Sequence, residues 1–103
     1  MNNGQSSPET AGYAEFYKGI KVMGGKGLIG GDALIVNGFS TEARIYGGEF
    51  VGGFGQGEDM DGFSVRVINS ATVHIHGGIF VDDISVEGNG IVALYGCFSL
   101  NNK

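Results

Sequence analysis

One cysteine, one proline and no tryptophan stand among 103 residues. A single thiol closes no intrachain disulfide, and without a second cysteine the Cys-x-x-Cys pattern of structural zinc sites is missing. The redox setting therefore stays open. Scarce proline beside 21 glycines excludes collagen, which needs both residues and a strict three-residue period. Basic residues are also few: 6 Lys and Arg against 11 Asp and Glu, a net charge of −5. The six form no cluster, so neither nucleic acid nor an anionic membrane surface has a field to follow. No apolar run approaches the roughly 18 residues of a membrane span. Met1–Thr10 is polar and lacks the apolar middle of a signal peptide, which implies a chain not exported by that route or a part of a longer one. Threonine occurs only at 10, 41 and 72, too sparsely for the Thr-rich ladder of an ice-binding face.

What is present is a returning phrase. Ile45-Tyr46-Gly47-Gly48-Glu49-Phe50 comes back as Ile75-His76-Gly77-Gly78-Ile79-Phe80, then shortened as Leu94-Tyr95-Gly96-Cys97-Phe98. A fainter copy starts at Val22-Met23-Gly24-Gly25. The first glycines, at 24, 47, 77 and 96, are separated by 23, 30 and 19 residues. Periods of this size mark stacked supersecondary units. A second alternating segment precedes each phrase: Ala33–Asn37, Val65–Asn69 and Ile84–Glu87. Period-two alternation is the mark of strands with one buried face.

Aligned on the glycines, the copies place like above like. Ile35, Val67 and Val86 form one predicted column; Ile45, Ile75 and Leu94 a second, with Val22 as candidate fourth member. Ala43, Val73 and Val92 form a third, and Phe50, Phe80 and Phe98 a fourth. Arg44, His74, Arg66, Ser85 and Glu87 fall on the opposite face, as an outer surface requires. The paired glycines then occupy tight corners where a positive φ is needed. Asn37 and Asn69 are expected at the other corner, since Asn tolerates the left-handed region. The predicted fold is all-β: a short right-handed parallel β-helix (β-solenoid) of about four coils. It spans 13–103, behind a polar N-terminal segment at 1–12. Ser7-Pro8 opens a candidate capping helix through Tyr13, Phe16 and Tyr17, ended by Gly19; one further strand through Ala14–Tyr17 is the rival reading.

These phrases resemble the N-I-Y-G-G-x-F coils of right-handed parallel β-helix repeat proteins, found in large surface or exported proteins of bacteria and algae. The resemblance covers roughly residues 20–100. It implies the fold above and an extracellular or cell-surface setting. It assigns no activity.

Several groups carry candidate chemistry. An insertion of about ten residues, Gly52–Gly62, holds Glu58, Asp59 and Asp61, oxygen ligands that suit Ca²⁺. Gly57 stands where the calcium-binding nonapeptide needs Asp, and the EF-hand pattern also fails, so a solvated acidic loop is the plainer reading. His74 and His76 share one side of a strand, but two ligands make a poor zinc site. Tyr46, His76 and Tyr95 fall in one outward column. They read as a stacking ladder that ties coils together, or as a platform for sugar rings. Glycoside hydrolysis needs two carboxylates roughly 5–9.5 Å apart across a cleft. Asp82 and Asp83 are adjacent and point opposite ways, and Arg66 stands on an outer face, so no catalytic residue is assigned. Cys97 reads as a small packing residue. The expected function is a non-catalytic structural or adhesive module of a larger surface repeat protein. A carbohydrate-binding or carbohydrate-active β-helix is the alternative. Expected partners are glycans, other cell-surface proteins and further copies end to end, with no nucleic acid, no membrane insertion and no cofactor beyond the candidate Ca²⁺.

Overall fold

Short segments rich in β-branched residues, such as Val65-Arg66-Val67-Ile68 and Thr72-Val73-His74-Ile75, bury every second side chain and so form strands with one inner face. The computed structural model describes residues 9–10, 12–57, 60–96 and 99–101. Twelve strands follow one another: β1 (Glu9–Thr10), β2 (Tyr13–Phe16), β3 (Lys21–Met23), β4 (Leu34–Asn37), β5 (Glu42–Ile45), β6 (Glu49–Val51), β7 (Val65–Ile68), β8 (Thr72–Ile75), β9 (Ile79–Val81), β10 (Ile84–Val86), β11 (Ile91–Leu94) and β12 (Ser99–Asn101). They assemble into three four-stranded sheets, β1-β4-β7-β10, β2-β5-β8-β11 and β3-β6-β9-β12. Every pairing is parallel. Each coil gives one strand to each sheet, and four coils stack into a short parallel β-solenoid.

No described residue is helical. The segment expected as a capping helix is strand β2, whose Phe16 pairs with Ile45. Its apolar residues serve a strand face because a neighbouring strand edge offers four pairing positions; Ser7 and Pro8, the expected cap, lie outside the described residues. Glu9 and Thr10, inside the segment 1–12, pair with Ile35 and Val36.

Inner columns run the length of the stack. Ala43, Val73 and Val92 are in register, extended by Ala14. Ile45, Ile75 and Leu94 are in register as well, but the fourth member is Phe16 and not Val22. Val22 instead joins Phe50 and Phe80, and Leu100 takes the place expected for Phe98, which lies outside the described residues. Val36, not Ile35, stands in column with Val67 and Val86; Ile35 pairs with Arg66 on the outer face. Phe50 and Phe80 stack at 5.5 Å, and Phe16 meets Phe50 edge-on at 5.4 Å. These rings and Leu34, Val36, Ile45, Val65, Val67, Val73 and Ile75 form a dry interior, each large side chain contributing about 1.5–3 kcal/mol.

Corner chemistry explains where the alignment slipped. Gly48 and Gly78 have φ of 103° and 116°, a region nearly closed to residues with a Cβ. The equivalent turn in the first coil is Tyr17-Lys18-Gly19-Ile20, where Gly19 has φ of 97° and Ile20 is an extra residue. The true first copy of the phrase thus lies at 16–22, not 22–28. At the next corner Asn69 has φ of 56°, as expected, whereas Asn37 stays in β4 and its Oδ1 accepts from Asn69 Nδ2 at 2.8 Å. Gly38 and Ser40 take the left-handed conformation in that coil.

Two loops, 24–33 and 52–64, leave the stack between the third and first sheets, where the following coil needs only Asp82-Asp83. They bond to one another: Gly27 N donates to Phe54 O, Gly30 N to Met60 O, Gly53 N to Gly31 O and Gln56 N to Leu28 O. A Cβ on Gly24 would lie 1.8 Å from the Gly31 carbonyl oxygen, and one on Gly30 1.9 Å from that of Gly53. Only glycine permits such backbone-to-backbone contact.

The ends of the stack differ. Phe16 of the first coil is buried, whereas the fourth coil leaves three inner residues in solvent: Val86 is 46%, Leu94 58% and Leu100 59% exposed, although their column neighbours Val67, Ile75 and Phe80 are at 0%.

Candidate functional site

The outer face of the second sheet carries the densest functional groups. Residues just beyond β2, β5, β8 and β11 occupy the same place in each coil, so Tyr17, Tyr46, His76 and Tyr95 rise one above another. Ring centroids are 5.3, 4.9 and 4.4 Å apart with interplanar angles of 13°, 18° and 12°. The structure thus brings Tyr46, His76 and Tyr95 together and adds Tyr17, which the displaced first copy had hidden. Stacking covers both faces of Tyr46 and of His76, leaving edges outward. Only Tyr17 and Tyr95 keep an open face. The stacking ties each coil to the next, and a platform for a sugar ring is confined to the two ends of the ladder. His76 Nε2 is buried within it and meets no hydrogen-bond partner among the described residues.

Beside the ladder runs a polar chain across three coils. Glu42 Oε2 lies 3.2 Å from Arg44 and 2.9 Å from His74 Nε2, and His74 Nδ1 lies 2.7 Å from Tyr95 Oη. The tautomer with hydrogen on Nε2 satisfies both contacts of His74 at once. The two imidazoles are engaged separately, His74 in this chain and His76 in the ladder. Arg44 is held above its ordinary basicity by the Tyr46 side chain first and by Glu42 as well. At the free end of the face, Tyr13 and Tyr17 both donate to Glu15. That contact depresses the Glu15 carboxyl, raises Tyr17 and pushes Tyr13 up to about 12.

The corner between the first and second sheets holds a groove of about 510 Å³, lined by Phe39, Ser40, Glu42, Ser70, His74 and Asn89 among others. It runs along the stack over coils two to four. Phe39 occupies a one-residue excess in its coil and is 83% exposed, more than any other large apolar side chain described. Ser40, Ser70 and Asn89 have φ of 70°, 66° and 65°. For a residue with a Cβ this conformation costs roughly 1–2 kcal/mol.

The remaining candidates are placed differently. Glu58 and Asp59 lie outside the described residues, as does Cys97. Asp61 Oδ1 accepts from Gly55 N at 2.7 Å, closing the inserted loop on itself. Among the described residues no three His, Cys, Asp or Glu side chains converge as a metal site. Arg66 is tied between Asp32 Oδ2 at 3.6 Å and Glu87 Oε2 at 3.3 Å. Asp82 and Asp83 sit in the two-residue turn, their carbonyl oxygens accepting from Ser64 Oγ. Glu42, Phe39 and the buried Asp32, whose Oδ1 accepts from Phe63 N at 2.8 Å, were not singled out by sequence. A signal existed for Phe39 alone: an aromatic residue inside a Gly-Phe-Ser-Thr turn has no inner face to fill.

No protein-family model matches this chain, and no curated protein and no solved structure matches it.

Proposed function

We propose that this chain is a non-catalytic structural module, a right-handed β-solenoid segment whose C-terminal face receives a further coil of the same kind. The observation that supports this reading is the exposure of Val86, Leu94 and Leu100, core-column residues with no coil above them. Strands β10, β11 and β12 are moreover the edges of all three sheets at that same end. Unpaired edges next to apolar side chains form a template for parallel strand addition. The ladder and the Glu42–His74–Tyr95 chain support it too, because they bind coil to coil. Placement in a surface repeat protein, with adhesion as its role, is the setting we propose for such a segment.

The test is to append one further coil, a copy of residues 82–101 joined in register after Asn101, and to follow melting and sedimentation. We expect the longer chain to melt higher and the parent to associate with rising concentration. Leu94→Glu with Leu100→Glu should keep the parent monomeric. A parent that stays monomeric at millimolar concentration and gains no stability from the added coil would sink the reading.

A further inference from the structure

The corner groove combines features that the structural reading leaves unused. Phe39 contributes nothing to the core: it is 83% exposed and makes no ring contact. The same groove holds the Glu42 carboxylate, bound by Arg44 and His74 through Oε2, with neither contact falling on Oε1. The turn residues Ser40, Ser70 and Asn89 line it too.

Those turn residues are the second observation. Ser40 and Ser70 hold left-handed φ in successive coils, a conformation in which glycine escapes the Cβ clash. The chain uses glycine freely where φ is positive, at Gly48 and Gly78 and, beside these residues, at Gly38 and Gly88. At this corner it keeps hydroxyls in spite of the conformational penalty, and both line the groove. Strained non-glycine residues gather where a side chain is needed for binding. The groove volume of about 510 Å³ lies within the roughly 300–1,000 Å³ of small-molecule sites.

We propose that this groove binds a pyranose residue of a glycan, the apolar C–H face of the sugar lying on Phe39 and its hydroxyls bonding to Glu42, Ser40, Ser70 and Asn89. The chemistry selects a neutral polyol. An anion meets the Glu42 carboxylate, and a protein of net charge −5 repels it. A quaternary ammonium ion needs a cage of several rings, whereas this groove is lined by one benzene ring, Phe39, and the His74 imidazole, which is already engaged by Glu42 and Tyr95, and Glu42 is already partnered by Arg44. The inference is independent of the coil-stacking reading, since no groove residue belongs to the exposed columns of the last coil.

The experiment titrates the isotope-labelled full chain with methyl glycosides of glucose, galactose, mannose, xylose and N-acetylglucosamine and with their β-linked tetrasaccharides, following backbone amide shifts. We expect saturable, millimolar binding by at least one of them, with shifts centred on Ser40, Ser70 and Asn89. Phe39→Ala should weaken it by about 10-fold or more without changing the melting temperature. Ser40→Gly with Ser70→Gly should weaken binding while melting holds or rises, an outcome that no purely structural role for the serines produces. The proposal is overturned by the absence of saturable shifts with every sugar, by affinity that survives Phe39→Ala, by shifts confined to Tyr17 and Tyr46, or by tetramethylammonium occupying the groove where sugars do not.

Discussion

Tyr95 serves both histidines at once: its hydroxyl lies 2.7 Å from His74 Nδ1, and its ring stacks 4.4 Å above His76. One side chain of the last coil thereby fastens the polar chain and the aromatic ladder to the coil below. Tyr95→Phe should remove only the hydroxyl contact and cost about 1 kcal/mol. Tyr95→Ala should remove the stacking as well and cost more. Paired urea melts separate the two, and equal losses would show that the ring carries nothing.

The inside-outside assignment is tested at two neighbours. Ile75 is fully buried, so Ile75→Ala should cost about 2–5 kcal/mol and Ile75→Asp should unfold the domain. His74→Gln, on the outer side, should cost roughly 1 kcal/mol. His74→Asp is the wrong control, because it sets a second carboxylate against Glu42. Circular dichroism melts of the two Ile75 variants and of His74→Gln give the comparison.

Gly48→Val should destabilise by more than Gly12→Val. Both residues have positive φ, 103° and 96°, but a Cβ on Gly48 would also lie 2.5 Å from Ile20 Cγ2, whereas Gly12 has open space. Backbone strain is common to both and the side-chain clash is not. Similar losses of melting temperature would mean that strain alone decides.

Deleting Phe54–Met60 should lower stability while leaving the three sheets formed. Length as such matters little. The deletion nevertheless removes the acceptors of Gly27 N and Gly30 N and the donor to Leu28 O. A far-ultraviolet spectrum of unchanged strand content with a reduced melting temperature is the expected pair of results.

The titrating groups of the outer face set the pH limits. Glu87 is depressed by the Ser85 hydroxyl first and then by Arg66, and Glu15 by Tyr13 and Tyr17. A depressed carboxyl stabilises the fold above its unfolded value, and that contribution fades as pH falls below the ordinary 4.5. Tyr13 has the opposite sense. Its contribution is complete below 10.0 and is lost as pH rises towards about 12. All three groups are exposed, so the slopes should be shallow. Glu15→Gln should bring the Tyr13 midpoint down from about 12 towards 10.0, read from phenolate absorbance.

The inner columns of the middle coils were legible because Val73-His74-Ile75 and Ala43-Arg44-Ile45 alternate cleanly. Leu34-Ile35-Val36 does not alternate, and an unbroken apolar run permits either face to be the inner one, which displaced Ile35 by one position. In the first coil Lys18 stands where the phrase has its first glycine, so the doublet Gly24-Gly25 in a loop drew the alignment away and hid Tyr17. At the other end the extra residue before β12 moved Leu100 into the place expected for Phe98. The groove escaped notice for a different reason. Phe39, Ser70 and Asn89 come from three coils, and only the stacking register brings them to one corner.

Loops generally accept substitution more readily than cores do, but the paired loops 24–33 and 52–64 reverse that order. A core position such as Ile45 admits leucine or methionine with modest repacking. Gly24 and Gly30 admit nothing larger, since what they touch is a backbone carbonyl, that of Gly31 in the same loop and of Gly53 in the other, which cannot rotate aside as a side chain would. Divergent relatives should therefore differ in their aliphatic columns while keeping these glycines. A search for them would be better guided by glycine spacing in the lobe than by the hydrophobic interior.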